Sequence, residues 1–566
     1  MGQICRQSEI SFGARVQNRL QRHLKKLIRT ANYGSRIHEF RLRGKHPLRL
    51  LGTPNDPGID IKDPDRKITD LPDDWQGENR DRREQEYLHS FCWLRDLNQQ
   101  GDRKAARQKA IALTRDWLKD FDCWHEVAWA ADILGQRIFY WLAYAPLILD
   151  STDLVYRSKM LNCLARQARH LHYIGDDGLR GLSRIEAVTG LMLAGLYIPH
   201  GESWLKKATG LLDRALMGEI LADGGEVSRN PQDMLDILQY LVVIRASLRA
   251  MGHDLPARLV QTIPLMAGML DALRHGDGAL ALFNGAKERT AAELDTVLSL
   301  AGLSLARALA RGDKTEISPA IGEKSGFRRL QRGATVVILD AGPPADMVVS
   351  KNCHAGTLSF EMSDGPQRII VNCGSAKQGS EDDLYRLCRS TAAHSTLIVK
   401  DRNSSEIRKD GLIGCGPAQV TSKITLPEQG PGLVEAGHDG YLSRFGVLHR
   451  RTIYISEAGD DVRGEDILDR GKNGGKSQQA VGYDIRFHLH PAVSLTRQEA
   501  PDRLLLGVQG AHYWQFHCAG GQLAVEESLY LGDGNTQTCR QIVISGRAGD
   551  EKTVIKWSLR RMEQKA

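Results

Sequence analysis

The sequence predicts a multidomain chain of α and β type: an N-terminal helical domain, toroid-like in its pairing of long helices, followed by an antiparallel β-sandwich. Three observations carry this. The chain has 566 residues, and at roughly 150 residues per domain that is two to four domains with ample core. Between about residues 82 and 310 apolar residues recur at helical spacing, as at Val188, Leu191, Met192 and Gly195. Beyond about residue 320 the helical period gives way to short runs rich in β-branched residues.

In chain order, residues 1–80 form a basic arm and a loop-like segment. Residues 1–49 hold twelve Lys or Arg and two acids, a net +10, which against the total of +7 leaves −3 for the remainder. Within the arm, Val16, Leu20, Leu24, Leu27 and Ile28 alternate with Arg15, Arg19, Arg22, Lys25, Lys26 and Arg29, the pattern of a basic amphipathic helix. Three uses fit such a helix: packing on its own protein, peripheral membrane contact through residues 13–30, or binding an anionic partner. Pro47, Pro54, Pro57, Pro64 and Pro72 then argue against long regular elements.

The helical domain, residues 82–311, is expected to comprise helices at Gln85–Gln99, Lys104–Lys119, Val127–Ala143, Leu154–Ile174, Arg184–Tyr197, Trp204–Ala222, Met234–Met251, Pro256–Arg274 and Ala291–Arg311. Pro231 opens one of these and Gly252 follows it. A boundary falls near Gly312–Gly326. The β-domain, residues 325–560, shows strand-like runs at 335–339, 368–371, 396–399, 451–455, 485–489, 504–508 and 553–557. Asp364-Gly365, Asp439-Gly440 and Asp533-Gly534 supply turns among them. Many short strands read as a sandwich.

Composition excludes several classes. The even charge balance of the body argues against a nucleic-acid binder, and no apolar run approaches the ~18 residues of a membrane span. The ten cysteines are scattered, with no C-x-x-C pair. They read as buried thiols in a reducing compartment, so the cytoplasm is expected in the absence of a signal-peptide pattern.

Several motifs fail. Gly471–Ser477 resembles a phosphate loop, but position 470 is Arg470. His125-Glu126 has Trp129 where a metalloprotease needs His. Asp223-Gly224-Gly225 reads only as a turn. Two segments survive: Cys353–Glu361 followed by Ile369–Gly374, and Arg386–Leu397. Each places a His just before an apolar strand, so neighbouring strand ends bring His354, Asn372 and His394 together. Two imidazoles and an oxygen ligand are a zinc set with an open position. Hydrogen-bonded structural histidines are the other reading. His488 and His490 alternate along a strand and read as structural.

The ordered motifs His354–Glu361, Val371-Asn372-Cys373-Gly374, Arg389–Thr396, Gly440-Tyr441, His449-Arg450-Arg451 and Arg486–Pro491 resemble the heparinase II/III-like family of polysaccharide lyases. Tyr87–Phe91, Trp93–Asp96 and Asp223–Gly225 through Asn230-Pro231 extend the resemblance into the helical half. It implies an (α/α) toroid, a β-sandwich and β-elimination at a uronic acid of an acidic polysaccharide. In that chemistry the uronate carboxylate is neutralised, a base removes the C5 proton and an acid protonates the leaving oxygen. The family pattern implies a catalytic His at the position of Asn352, a metal-binding His at His354, an Asp at the position of Asn372 and a Tyr after Asp-Gly-Gly. This sequence has Asn352 and Asn372, and Gln232-Asp233-Met234 where the Tyr is expected.

Candidate catalytic residues are therefore His354, Asn352 and Asp233, with Glu226 or Tyr240 as further groups from the helical side. Candidate substrate-binding residues are Arg229, Asn230 and Arg389, and candidate zinc ligands are His354, Asn372 and His394. Arg450 and Arg451 are further candidates for a substrate carboxylate. Asn in place of Asp predicts weak zinc binding or none. Two functions remain open: a lyase acting on a uronate-containing polysaccharide, or a non-catalytic glycan-binding or assembly protein on the same fold. The resemblance also implies a periplasmic or envelope location as the alternative to cytoplasm. Oligomeric state is not readable from the sequence.

Overall fold

A computed structural model describes residues 42, 44–54, 75, 82–303, 322–376, 382–470, 480–508, 512–549 and 552–562. The basic amphipathic pattern at 13–30, most of the Pro-rich segment and the Gly471–Ser477 run lie outside the described residues. The chain divides into two compact units, one built from Met1–Thr53, Pro72–Asp177 and Gly190–Ala208, the other from Pro54–Leu71, Gly178–Thr189 and Thr209–Ala566.

The first unit is helical. The expected helix at 85–99 is two, Arg82–Ser90 and Trp93–Asn98. The break is at Phe91, whose φ of 63° leaves the helical region. Arg103–Asp120 starts on Asp102, whose carboxylate accepts from the N–H groups of Lys104 and Ala105. Leu154–Ile174 has the predicted bounds, with Asp153 as its cap and Gly175 as its stop. Phe91, Trp93, Trp117 and Trp141 pack into one aromatic core. The fully buried Arg137 guanidinium lies against it, donating to Gln167 and to the carbonyls of His89 and Ala128.

In the second unit, Pro231–Ala250 and Ala257–Ala272 pack together, and Ala291–Ala301 packs on both. The first begins with Asn230 as N-cap and Pro231 at the first position. Between residues 82 and 303 the only β pairings among the described residues are the isolated bridges Ile220–Glu226 and Arg274–Leu280. The helical period there holds.

The strands are β1 (Phe327–Arg332), β2 (Thr335–Asp340), β3 (Phe360–Asp364), β4 (Gln367–Val371), β5 (Leu397–Val399), β6 (Val420–Thr425), β7 (Gly432–His438), β8 (Leu448–Ile455), β9 (Asp461–Asp469), β10 (Val481–Leu489), β11 (Val493–Arg497), β12 (Arg503–Val508), β13 (Tyr513–Ala519), β14 (Gln522–Tyr530), β15 (Gln537–Ala548) and β16 (Thr553–Met562). They form two antiparallel eight-stranded sheets. One runs β1-β2-β3-β4-β10-β15-β14 with β5 also on β10; the other runs β11-β12-β13-β16-β9-β8-β7-β6.

Alternation builds the core between the sheets. Phe360 from the first sheet stacks on Trp557 from the second at 5.3 Å, and Phe487 meets both Trp557 and Phe516. A buried charge net crosses the same layer. Asp466 on β9 binds Arg451 and His449 on β8 and the Trp557 indole on β16. Arg451 in turn donates to the carbonyls of Leu358 and Ser395.

Candidate functional site

Asp223-Gly-Gly is more than a turn. The Asp223 carboxylate accepts from the N–H groups of Lys324 and Ser325 at 2.7 Å and from the Ser325 hydroxyl at 2.9 Å. It thus ties the end of one helix to the approach to β1. Gly224 has φ of 86°, and a Cβ there would lie 2.2 Å from the Leu265 carbonyl oxygen. No other residue fits without displacing that backbone.

The chain then turns through Glu226, Ser228 and Asp233. The Ser228 N–H donates to Glu226 Oε2 at 2.8 Å, and the Ser228 hydroxyl also donates to that oxygen. The same hydroxyl lies 3.2 Å from Asp233 Oδ2. One hydroxyl hydrogen cannot serve two carboxylates, so a carboxyl proton completes the chain. Burial, and then the negative charge of Asp233, push the Glu226 carboxyl up. Burial, and then Asp236, push Asp233 up. Glu226 is fully buried and its Oε1 has no hydrogen-bond partner, whereas Asp233 is partly exposed.

Cys353 joins this segment to the sandwich, its thiol donating to the Ser228 carbonyl at 3.2 Å. His354 follows. Its Nδ1 lies 3.0 Å from His394 Nε2, while His394 Nδ1 is 2.7 Å from the Ser390 carbonyl. A carbonyl only accepts, so His394 carries its hydrogen on Nδ1, and His354 must carry its own on Nδ1. His354 Nε2 is left with a bare lone pair, buried and without a partner. Burial, then the neighbouring His394 and Arg389, hold His354 well below the usual histidine range, so it is neutral.

Asn372 is close by, since its Oδ1 accepts from the Ser395 N–H at 3.0 Å. Its amide donates to Glu361 Oε1 at 3.1 Å and to the Leu282 carbonyl at 3.3 Å. Glu361 is the anchor that sequence reasoning missed. It is fully buried and accepts from the Asn372 N–H, the Leu282 N–H and His275 Nε2. Burial pushes its carboxyl up, but the hydrogen bond and charge of His275 and the charge of Arg368 outweigh it, and the carboxyl stays below its ordinary value. A Glu inside the apolar run Phe360-Glu361-Met362 was the available signal.

The implied zinc ion does not fit these residues as arranged. His394 Nε2 receives His354 and His394 Nδ1 donates to Ser390, so of the two imidazoles only His354 Nε2 offers a lone pair, and Asn372 adds no more than the second lone pair of a neutral amide oxygen that already accepts from Ser395. The two histidines bond each other, while Asn372 is held beside them through the Ser395 N–H and Glu361.

The arginines proposed for substrate are turned inward. Arg229 is 5% exposed and sits at φ of 60°. It donates to the carbonyls of Ser325 and Pro343, at 2.7 Å each, and pairs with Asp340. Arg389 is fully buried, with Nε on the Cys353 carbonyl and Nη2 on the Ser350 carbonyl. Arg451 is likewise locked on Asp466, while the exposed Arg450 lies 3.5 Å from Asp469. Asn230 spends its side-chain oxygen capping a helix. Asn352 is exposed, with Oδ1 3.5 Å from the Tyr385 hydroxyl.

This fold, helices followed by a two-sheet sandwich, is that of a class of polysaccharide lyases. The crystal structure of heparinase III is similar over 88% of this chain and 80% of that chain, at 16% identity and a TM-score of 0.69. Heparan sulfate lyase HepC from Pedobacter heparinus matches over 87% of this chain and 78% of its own, at 14% identity and a TM-score of 0.60. A chondroitinase AC lyase matches over 92% of this chain and 82% of its own, at 9% identity and a TM-score of 0.51. Residues 317–558 match the family model of the heparinase II/III-like C-terminal domain, so the chain carries that domain. Among curated proteins, FtsZ-localized protein C of Caulobacter vibrioides is 28% identical over 491 residues, 84% of this chain and 81% of that protein.

Proposed function

We propose that this chain is a non-eliminating, glycan-binding assembly protein: it holds an acidic, uronate-containing polysaccharide on a lyase scaffold. The observation that carries this is the closed cluster at His354. β-Elimination needs a base that reaches C5, a group that neutralises the uronate, and an acid at the leaving oxygen. At the matching positions His354 and His394 bond each other, Asn372 spends both amide hydrogens on Glu361 and Leu282 and accepts from Ser395, and Asn352 does not titrate. Arg229 and Arg389 stabilise the unit from within. The resemblance to a protein named for its localisation to FtsZ supports the assembly part of this reading, a role alongside FtsZ. Co-sedimentation of the purified protein with insoluble acidic polysaccharide tests the binding, with a neutral glucan as control.

A specific feature favours a second reading, a polysaccharide lyase with altered chemistry. Glu226 and Asp233 hold a proton in reach of neutral pH, and His354 Nε2 has a free lone pair. An acid and a base thus lie in one compact unit. Release of unsaturated uronate ends, abolished by both His354→Ala and Glu226→Gln, would establish this reading in place of the first.

A further inference from the structure

We infer that the open seam of the β-sandwich between β11 and β14 is a second binding site, one that takes an anionic sugar. Each strand is the edge of its own sheet. Leu495 and Arg497 on β11 lie across from Leu506 and Leu504 of β12, both buried in the core. On the other sheet, Val525 lies across from Ile542, and Arg540, two residues before Ile542, shares that face. Directly opposed residues in an antiparallel pair share a face. Both arginines therefore stand on the inner faces of their sheets, at the rim where the two sheets part.

A cavity of about 390 Å³ opens there, lined by Leu495, Arg497, Val525 and Arg540. That is within the usual ligand range of roughly 300–1,000 Å³. Among the described residues neither guanidinium has a hydrogen-bond or ion-pair partner, although Glu527 is the cross-strand neighbour of Arg540. Two unpaired cations on one cavity repel each other, and an anion between them relieves that repulsion. Their planar forks match a carboxylate or sulfate. Leu495 and Val525 add an apolar wall, which suits the C–H face of a sugar ring and gives nothing to a bare inorganic ion. Together they specify a uronate or sulfated sugar. Inward-pointing charge at an edge strand also discourages edge-to-edge pairing, and the test separates that role from binding.

The inference takes only its ligand class from the preceding reading; the cavity stands apart from the His354 cluster. The experiment is calorimetric titration of the full chain with a hyaluronan hexasaccharide, a heparan sulfate hexasaccharide, a neutral glucan hexasaccharide and inorganic sulfate. At least one acidic hexasaccharide should bind, more tightly than sulfate and the neutral sugar. The double variant Arg497→Gln/Arg540→Gln should weaken it about tenfold or more while keeping the wild-type thermal midpoint. Leu495→Ser should weaken the sugar and leave sulfate unchanged. Equal binding by wild type and double variant, equal binding of sulfate or neutral sugar, or no acidic sugar bound at all would each overturn the site. Equal binding by wild type and double variant would do so while leaving the reading of the His354 cluster standing.

Discussion

At the residue scale, the Glu226–Ser228–Asp233 chain makes the most direct statement about pH. Both carboxyls bind their protons more tightly in the folded chain than in the unfolded one. Stability therefore falls as pH rises, because the unfolded state binds fewer protons over that interval. The contribution is full below the ordinary carboxyl range and is lost as pH climbs through the raised values. We expect the thermal midpoint to decline from about pH 5 to about pH 9, and Glu226→Gln to flatten that decline. Parallel wild-type and variant curves would contradict the shared proton. Asn372 gives a second prediction. Placing there the Asp that the resemblance implies removes a donor to Glu361 and sets two carboxylates about 3.1 Å apart. Asn372→Asp should destabilise the protein by about 2–4 kcal/mol, read by urea denaturation. The grouping of His354, Asn372 and His394 was legible because each abuts an apolar strand. How each is held was not, because the His354–His394 bond depends on the Ser390 carbonyl and the place of Asn372 on Glu361, which sequence spacing does not mark.

At the element scale, legibility followed the strength of the period. The helix at Leu154–Ile174 has a capping Asp, a long apolar stripe and a terminal Gly, and it was read to the residue. The segment at 85–99 was read as one helix because nothing in the side chain of Phe91 announces a positive φ. Strands with continuous apolar runs, such as β2, were recognisable. Strands with mixed faces, such as β6 and β14, were not, since β6 alternates partly buried with exposed residues and β14 mixes exposed Glu526, Glu527 and Leu529 with buried Ser528 and Tyr530. The Asp466 net belongs to this scale because it pins β8, β9 and β16 together and reaches two carbonyls beyond them. Burial pushes Asp466 up, but Arg451 and His449 overcome it and hold the carboxyl well below its usual range. Asp466→Asn leaves the buried Arg451 uncompensated and should cost about 3–5 kcal/mol in the same denaturation experiment. A loss below ~1 kcal/mol would mean that the net adds little to its hydrophobic surroundings.

At the scale of the whole molecule, the order of helices then strands was legible from hydrophobic period alone, and the motif order pointed to the lyase class. The proposed loss of elimination rests on a handful of positions, since a fold does not by itself fix a function. On the proposed reading, a scaffold without an elimination centre should still present an acidic polysaccharide with a surface to bind. The most direct test incubates the wild-type protein with an acidic polysaccharide that it binds and follows unsaturated uronate ends by their near-ultraviolet absorbance. The account predicts retention of the polysaccharide with no new unsaturated ends. Steady release of such ends by wild type, lost in His354→Ala at an unchanged thermal midpoint, would contradict it.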